Sequence, residues 1–336
     1  MTKTPNISVG IIGVGKSVPK KVIKNDDLIK MGLDTSDEWI FERTGIKQRH
    51  IASENESTSD FAYLAALEAI ESAQIKKEDI DLIIVATSSP DHLAFPATAC
   101  IIQEKLGLRH IAAFDISAAC TGFTTALTTG TSFIQSNLAK NALIIGADCL
   151  SKLINWEDRS TCILFGDGAG AVVLSEVPSN FGILSSTLHS DGSAAPLLGI
   201  PCGGTKKPFS QEVLDNKEYF IEMDGRAVFK KAVQELVPCI KNNLQKVGLS
   251  TNDINFFIPH QANVRIIDYA REKLKLDKNQ VYINIEKYGN TSAASIPIAL
   301  CEAYEKKLLS PGHILVLAGF GAGFMWGSNI IKWSKL

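Results

Sequence analysis

The chain is 336 residues long, 45% hydrophobic and 21% charged, with 34 basic against 36 acidic side chains and a formal net charge of -2. That balance, without a long basic run, removes the footprint of a nucleic-acid binder, and no segment reaches the roughly 18 unbroken apolar residues of a membrane span. Seven scattered cysteines (100, 120, 149, 162, 202, 239, 301) form no CxxC pair and stand at no zinc-ligand spacing, a pattern of free thiols in a reducing cytoplasm with no structural metal.

The opening MTKTPNISVGIIGVG carries one early lysine and an apolar run broken by glycines, which fits a first strand better than a signal-peptide core. TSDFAYLAALEAIESAQ follows with a Thr-Ser start and apolar residues at Phe61, Leu64, Ala65 and Ala69, the spacing of a helix. DLIIVATSS, ALIIGAD, AGAVVLS, INFFIPH and HILVLAGFG are short continuous apolar runs of the kind buried on both faces, so the class is α/β with a largely parallel sheet. Between them VFKKAVQELVPCIKNNLQKVG is amphipathic, with Pro238 placed to kink it.

Laid against itself, the chain repeats. AQIKKEDIDLIIVATSS resembles VGLSTNDINFFIPHQA, with Asp79-Ile80 on Asp253-Ile254, and NALIIGAD is matched by GHILVLAG at nearly the same displacement. This internal duplication predicts halves 1–178 and 179–336, joined near VPSN (177–180), with a site between them where strand ends meet loops.

Three residues on such loops can carry chemistry. Cys120, in DISAACTGF, follows an apolar run and precedes a helical pattern through Phe123, Ala126, Leu127 and Ile134. A thiol at a helix N-terminus is acidified by the macrodipole and stands beside free N–H groups, although the same window also suits a buried cysteine packing as a small hydrophobe. His260 ends the run INFFIPH, facing either a crevice or a structural partner, and the local context of Asn290 in YGNTSAASIPIAL favours a helix cap or αL turn residue. GDGAGAVV and GFGAGF lack the GxGxxG spacing of a dinucleotide fingerprint. The glycines around Gly323 instead let backbone N–H groups approach a reacting carbonyl.

DISAACTGF, IPHQANVRI and YGNTSAASIP, in that order, resemble the Cys, His and Asn motifs of the β-ketoacyl-[acyl-carrier-protein] synthase III family, the starter condensing enzymes of fatty-acid synthesis. The resemblance runs the full length, through TSDEWIFERTGIKQRHIA, LAFPATAC, FGDGAGAVVLSE, LHSDG and GFGAGFMWGS. It implies the thiolase fold, two α/β halves in a five-layer αβαβα sandwich. It also implies a catalytic set of Cys120, His260 and Asn290, an oxyanion hole from the N–H groups of Cys120 and Gly323, and no cofactor beyond the substrates acyl-CoA and malonyl-acyl carrier protein.

By motif position the resemblance assigns Thr35, Trp39, Arg43 and Arg159 to the CoA nucleotide, with the adenine between Trp39 and Arg159, and Gly225, Phe229 and Asn263 to the pantetheine tunnel. Lys230, Gln261, Arg265 and Lys273 become the docking patch for the acidic carrier protein, with Glu272 an acidic departure within it. A cytoplasmic homodimer is implied, in which Phe95 closes the partner's acyl pocket. The rivals are relatives that make alkylquinolones or prime polyketides and, in another class, papain-like proteases. Those proteases carry their cysteine near the N-terminus of secreted chains, whereas Cys120 follows over a hundred residues of α/β pattern.

Overall fold

The computed structural model describes residues 7–335, so the first six residues of the signal-peptide comparison lie outside it. The first sheet holds β1 (Val9–Ser17), β2 (Leu82–Ala86), β3 (Ala112–Ile116), β4 (Ala142–Cys149) and β5 (Asp167–Glu176), in the order β1-β5-β4-β2-β3. The second holds β6 (Gly182–Ser190), β7 (Phe256–Pro259), β8 (Ile314–Gly321) and β9 (Met325–Lys332), in the order β7-β8-β9-β6. The second order repeats the first four places of the first sheet, and the extra edge strand β3 leads into Cys120. The first sheet closes at Glu176 and the second opens at Gly182.

Seven helices matter for the site: α1 (Asp37–Thr44), α2 (Thr58–Ala73), α3 (Thr98–Leu106), α4 (Gly122–Gln135), α5 (Gly225–Gln245), α6 (Val264–Leu274) and α7 (Ser295–Glu305). The two-residue period of a strand sends alternate side chains to opposite faces. Ile83 and Val85 of β2 pack outward under α2 and α3, while Leu82, Ile84 and Ala86 face α4 and α7 at the centre. On the far side α5 and α6 cover Phe257, Val316 and Ile330. The result is the five-layer αβαβα sandwich. No helix among the described residues is long and apolar enough to cross a membrane.

One expectation needs correction. The sheets are mixed: β2 is parallel to β3 and β4, and β7 to β8, but β5 runs antiparallel to both β1 and β4, and β9 to β6 and β8. Helical crossovers enforce parallel pairs, whereas β8 and β9 are joined by a tight turn that reverses the chain, and a buried strand has the same apolar look in either direction. Pro238 lies inside α5, which runs from Gly225 to Gln245.

The two central helices start head to head in the middle of the molecule. Each is preceded by a single 3₁₀ turn, Ala119–Thr121 before α4 and Ser292–Ala294 before α7, and each turn opens on a non-glycine residue with positive φ, 44° at Ala119 and 49° at Ser292. Such turns fit only because the opposing sheet has no side chain there. A Cβ on Gly146 of β4 would lie 2.2 Å from the Ala293 carbonyl oxygen, and one on Gly321 of β8 would lie 2.8 Å from the Cys120 nitrogen.

Gly146→Ala therefore forces the α7 turn off its sheet, and is expected to cost about 1–3 kcal/mol of unfolding free energy. Gly192→Ala, with nothing within 4 Å of its added methyl, should be nearly neutral. Urea unfolding midpoints of the two variants test this. Equal midpoints would contradict the close approach.

Candidate active site

Cys120 is 7% exposed, and its thiol donates to Ser292 Oγ at 3.4 Å across the junction of the two turns. Burial pushes the thiol up to about 12; the Ser292 hydrogen bond opposes this and the Asp148 carboxyl adds to it. The expected acidified thiol is thus corrected. The helix end is present, but the thiol is desolvated and beside a carboxyl, so it rests as the neutral S–H.

His260 follows β7 with its N–H on the Ala318 carbonyl at 2.8 Å, and is 2% exposed. Ser295 Oγ accepts the Gln261 N–H at 3.3 Å and lies 2.6 Å from His260 Nδ1. In the tautomer in which the hydroxyl gives its proton to Nδ1, the remaining ring hydrogen sits on Nε2 as a donor. Burial lowers the imidazole to about 3, so it is neutral at physiological pH. The ring of Phe320 meets it edge-on at 5.5 Å.

Asn290 is anchored by its backbone to Leu164 and Gly166 at 2.8 and 3.0 Å. Its Oδ1 accepts the Ser292 N–H at 2.9 Å, which leaves Nδ2, the donor end, for the cavity that Asn290 lines with Cys120 and His260. Beneath this segment Glu302 accepts from Tyr282, Asn284, Lys287 and Tyr288. Despite its burial, these partners hold the carboxyl down at about 2. One thiol and two uncharged donors converge on one space.

That space has two arms that share Cys120, Phe165 and Leu198. One is an apolar cavity of about 390 Å³ walled by Leu150, Leu153, Ile221 and Met325, and Gly323 lies on its rim. The other, about 220 Å³, runs past His260 and Asn290 to Arg43, and Gly225, Phe229 and Asn263 line it as expected. The Asn263 side chain also caps α6, accepting the Arg265 N–H at 2.9 Å and donating to the Arg43 carbonyl at 2.9 Å. At the tunnel mouth the Arg43 and Arg159 guanidinium carbons lie 4.4 and 4.7 Å from the Trp39 ring centroid. Arg159 also donates to the Asp34 carbonyl. The Arg159 guanidinium thus stacks directly on Trp39, in the place the resemblance gives to the adenine ring. Thr35 Oγ1, nearby, is buried without a hydrogen-bond partner.

Lys230, Arg265 and Lys273 are exposed on α5 and α6. Gln261 is not available for docking, a second correction within the site: it is 1% exposed, its Nε2 donates to the carbonyls of Pro259 and Tyr282, and its Oε1 accepts the Asn284 N–H. Glu272 is exposed in the same patch, with Arg271 held by Asp268 and the Leu276 carbonyl. Arg226, one turn before Lys230, adds an exposed cation that the sequence reading passed over. Phe95 is 85% exposed and Leu93 75%, and neither lines its own chain's cavity. Sequence reasoning also missed Ser292, Ser295, Asp148 and Phe320. Only the serines carried a signal, as polar residues in an apolar helix start.

Two family models match, "3-Oxoacyl-[acyl-carrier-protein (ACP)] synthase III" over residues 114–192 and its C-terminal counterpart over 244–333. The chain is 51% identical to the β-ketoacyl-[acyl-carrier-protein] synthase III of Caldanaerobacter subterraneus, covering 98% of this chain and 99% of that one. Among solved structures, the 3-oxoacyl-[acyl-carrier-protein] synthase III of Aquifex aeolicus superposes with a TM-score of 0.89 at 46% identity, covering 97% of this chain and all of that one. The priming β-ketosynthase of the R1128 polyketide pathway gives the same TM-score at 29% identity, over 99% of each chain.

With the thiol raised to about 12, its thiolate fraction grows as pH rises. Alkylation of Cys120 by iodoacetamide, followed by peptide mass, should climb about tenfold per pH unit from pH 7 to pH 10. A plateau below pH 8 would show an acidified thiol instead.

Proposed function

The chain belongs to the β-ketoacyl-[acyl-carrier-protein] synthase III family, and from that premise we propose how its own residues divide the reaction. It is a condensing acyltransferase that joins an acyl primer to malonyl-acyl carrier protein and so initiates fatty-acid synthesis. In our reading the primer arrives as acyl-CoA, acetyl-CoA foremost, along the tunnel past Arg43, and Cys120 Sγ attacks the thioester carbon. The oxyanion lies against the N–H groups of Cys120 and Gly323, and CoA leaves as its thiol.

Malonyl-acyl carrier protein then enters the same tunnel. Nε2–H of His260 and Nδ2–H of Asn290 donate to its thioester oxygen, so that the electrons of the breaking carbon–carboxylate bond collect as an enolate while CO2 departs. The enolate carbon attacks the acyl-Cys120 carbonyl, giving the 3-ketoacyl chain and the Cys120 thiolate, which takes one proton from solvent to restore the thiol. The supporting observation is the pair of neutral donors: a cationic imidazole would hold the malonyl carboxylate by charge and oppose its loss. The atoms balance with these two substrates and that one proton, and need no cofactor.

Carrier-protein docking falls to Lys230, Arg265 and Lys273 with Arg226, a mainly electrostatic contact that Glu272 weakens. A homodimer is supported by β3, an edge strand with an open hydrogen-bonding side, and by the exposed Leu93 and Phe95. In the dimer the partner's Phe95 would close the apolar cavity and set primer length.

Intact mass after exposure to acyl-CoAs of increasing chain length tests these assignments. Wild type should gain one acyl group, Cys120→Ala none, and Phe95→Ala should shift the profile toward longer chains. No adduct with any primer would overturn the function, and an unchanged profile in Phe95→Ala would overturn the role of Phe95.

A further inference from the structure

A neutral imidazole carries one N–H, and the reaction as divided above needs it on Nε2. Which ring nitrogen holds the hydrogen is set by what the other one meets. His260 Nδ1 lies 2.6 Å from Ser295 Oγ, while His260 lines the tunnel with Cys120 and Asn290.

Ser295, the first residue of α7, is 2% exposed. Its Oγ has two hydrogen-bond partners among the described residues, His260 Nδ1 and the Gln261 N–H at 3.3 Å. A backbone N–H can only donate, so of these two Nδ1 alone can take the hydroxyl's hydrogen. Were the ring hydrogen on Nδ1, the serine's hydrogen would be buried without an acceptor, which is costly. Serine in a helix often donates to the carbonyl one turn back. Here the hydroxyl instead reaches out of α7 to the strand end that carries His260.

The other half of the molecule shows that the fold does not require this pair. The repeat that lays Asp79-Ile80 on Asp253-Ile254 lays Ala86 on His260, and the residue after each 3₁₀ turn is Gly122 in one half and Ser295 in the other. A Cβ on Gly122 would stand 2.8 Å from the Ala86 Cβ. There the strand end meets the helix start with glycine on alanine, and no polar side chain joins them.

We propose that Ser295 is the positioning residue of His260: its hydroxyl donates to Nδ1, fixes the ring hydrogen on Nε2 and so makes His260 a donor to the malonyl thioester oxygen. The role rests on the enolate reading above. Ser295 lines neither arm of the cavity, and no proton passes through it. With the hydrogen on Nδ1, Nε2 would turn a lone pair toward the enolate oxygen and repel it. Acylation of Cys120 does not use the pair.

Two readouts test this. Nitrogen NMR of the protein with isotope-labelled histidine, the His260 signals assigned by their loss in His260→Asn, should show the wild-type ring hydrogen on Nε2 alone and both tautomers in Ser295→Ala. Release of CO2 from malonyl-acyl carrier protein should fall about tenfold in Ser295→Ala, with single-turnover acylation of Cys120 by acetyl-CoA within about threefold of wild type. A wild-type hydrogen on Nδ1 would overturn the proposal whether or not the variant folds. So would Nε2–H alone in Ser295→Ala, decarboxylation within about twofold of wild type, or an equal loss of both rates. A wild-type protein that releases no CO2 would overturn the enolate reading as well, and the wild-type control alone tells the two failures apart.

Discussion

The close approach of two helix-starting turns to two bare sheet positions is the constraint on which the site depends. Strand register makes the halves comparable residue by residue: Leu82 stands opposite Ala142 and Phe256 opposite Leu315, which puts Gly146 in the place of Gly319, and Asp148 in the place of Gly321. The turns correspond in the same way, Cys120 to Ala293. In the first half's sheet, Asp148 supplies a carboxylate to the Ala293 N–H at 3.1 Å. In the second, the equivalent residue is a glycine, and the Cys120 N–H faces a space with no side chain. One copy of the turn has a side-chain carboxyl as its partner. At the other no side chain stands there, which in our proposal leaves the Cys120 N–H to the oxyanion of the reaction.

The asymmetry separates structure from chemistry. Around Ala293 the hydrogen bonds are closed, which fixes α7 and the segment from Asn290 to Ser295. Around Cys120 no carboxyl stands on the opposing strand, and the turn at Ala119 is held by its packing and by Thr121, whose N–H and Oγ1 donate to the Ala118 carbonyl at 3.0 and 2.6 Å. Neutrality follows from the same burial, because charge is expensive between two sheets. The thiol is pushed up and the imidazole down, and selectivity for each step comes from where donors point.

Much of this was legible in the sequence. The duplication, its junction, and Cys120, His260 and Asn290 all stood in apolar or turn contexts distinctive enough to single out. What was not legible depended on burial or direction. DISAACTGF suggested an acidic thiol because a helix end is visible in a sequence, whereas the desolvation that outweighs it is not. Gln261 beside His260 looked free to dock a partner until three backbone groups were found to engage it. Ser292, Ser295 and Asp148 are short polar residues whose side-chain partners lie 34 to 172 positions away, and beyond two serines in an apolar helix start no local pattern announces them. The mixed strand directions were hidden because a buried run reads alike both ways.

The central claim is that one site runs two separable steps, acyl transfer at Cys120 and enolate formation between His260 and Asn290. Measuring both half-reactions in His260→Ala and Asn290→Ala tests it most directly. The account predicts acyl-Cys120 formation close to the wild-type rate, with decarboxylation of malonyl-acyl carrier protein lower by about 10²–10³. Parallel loss of acylation in both variants would contradict it.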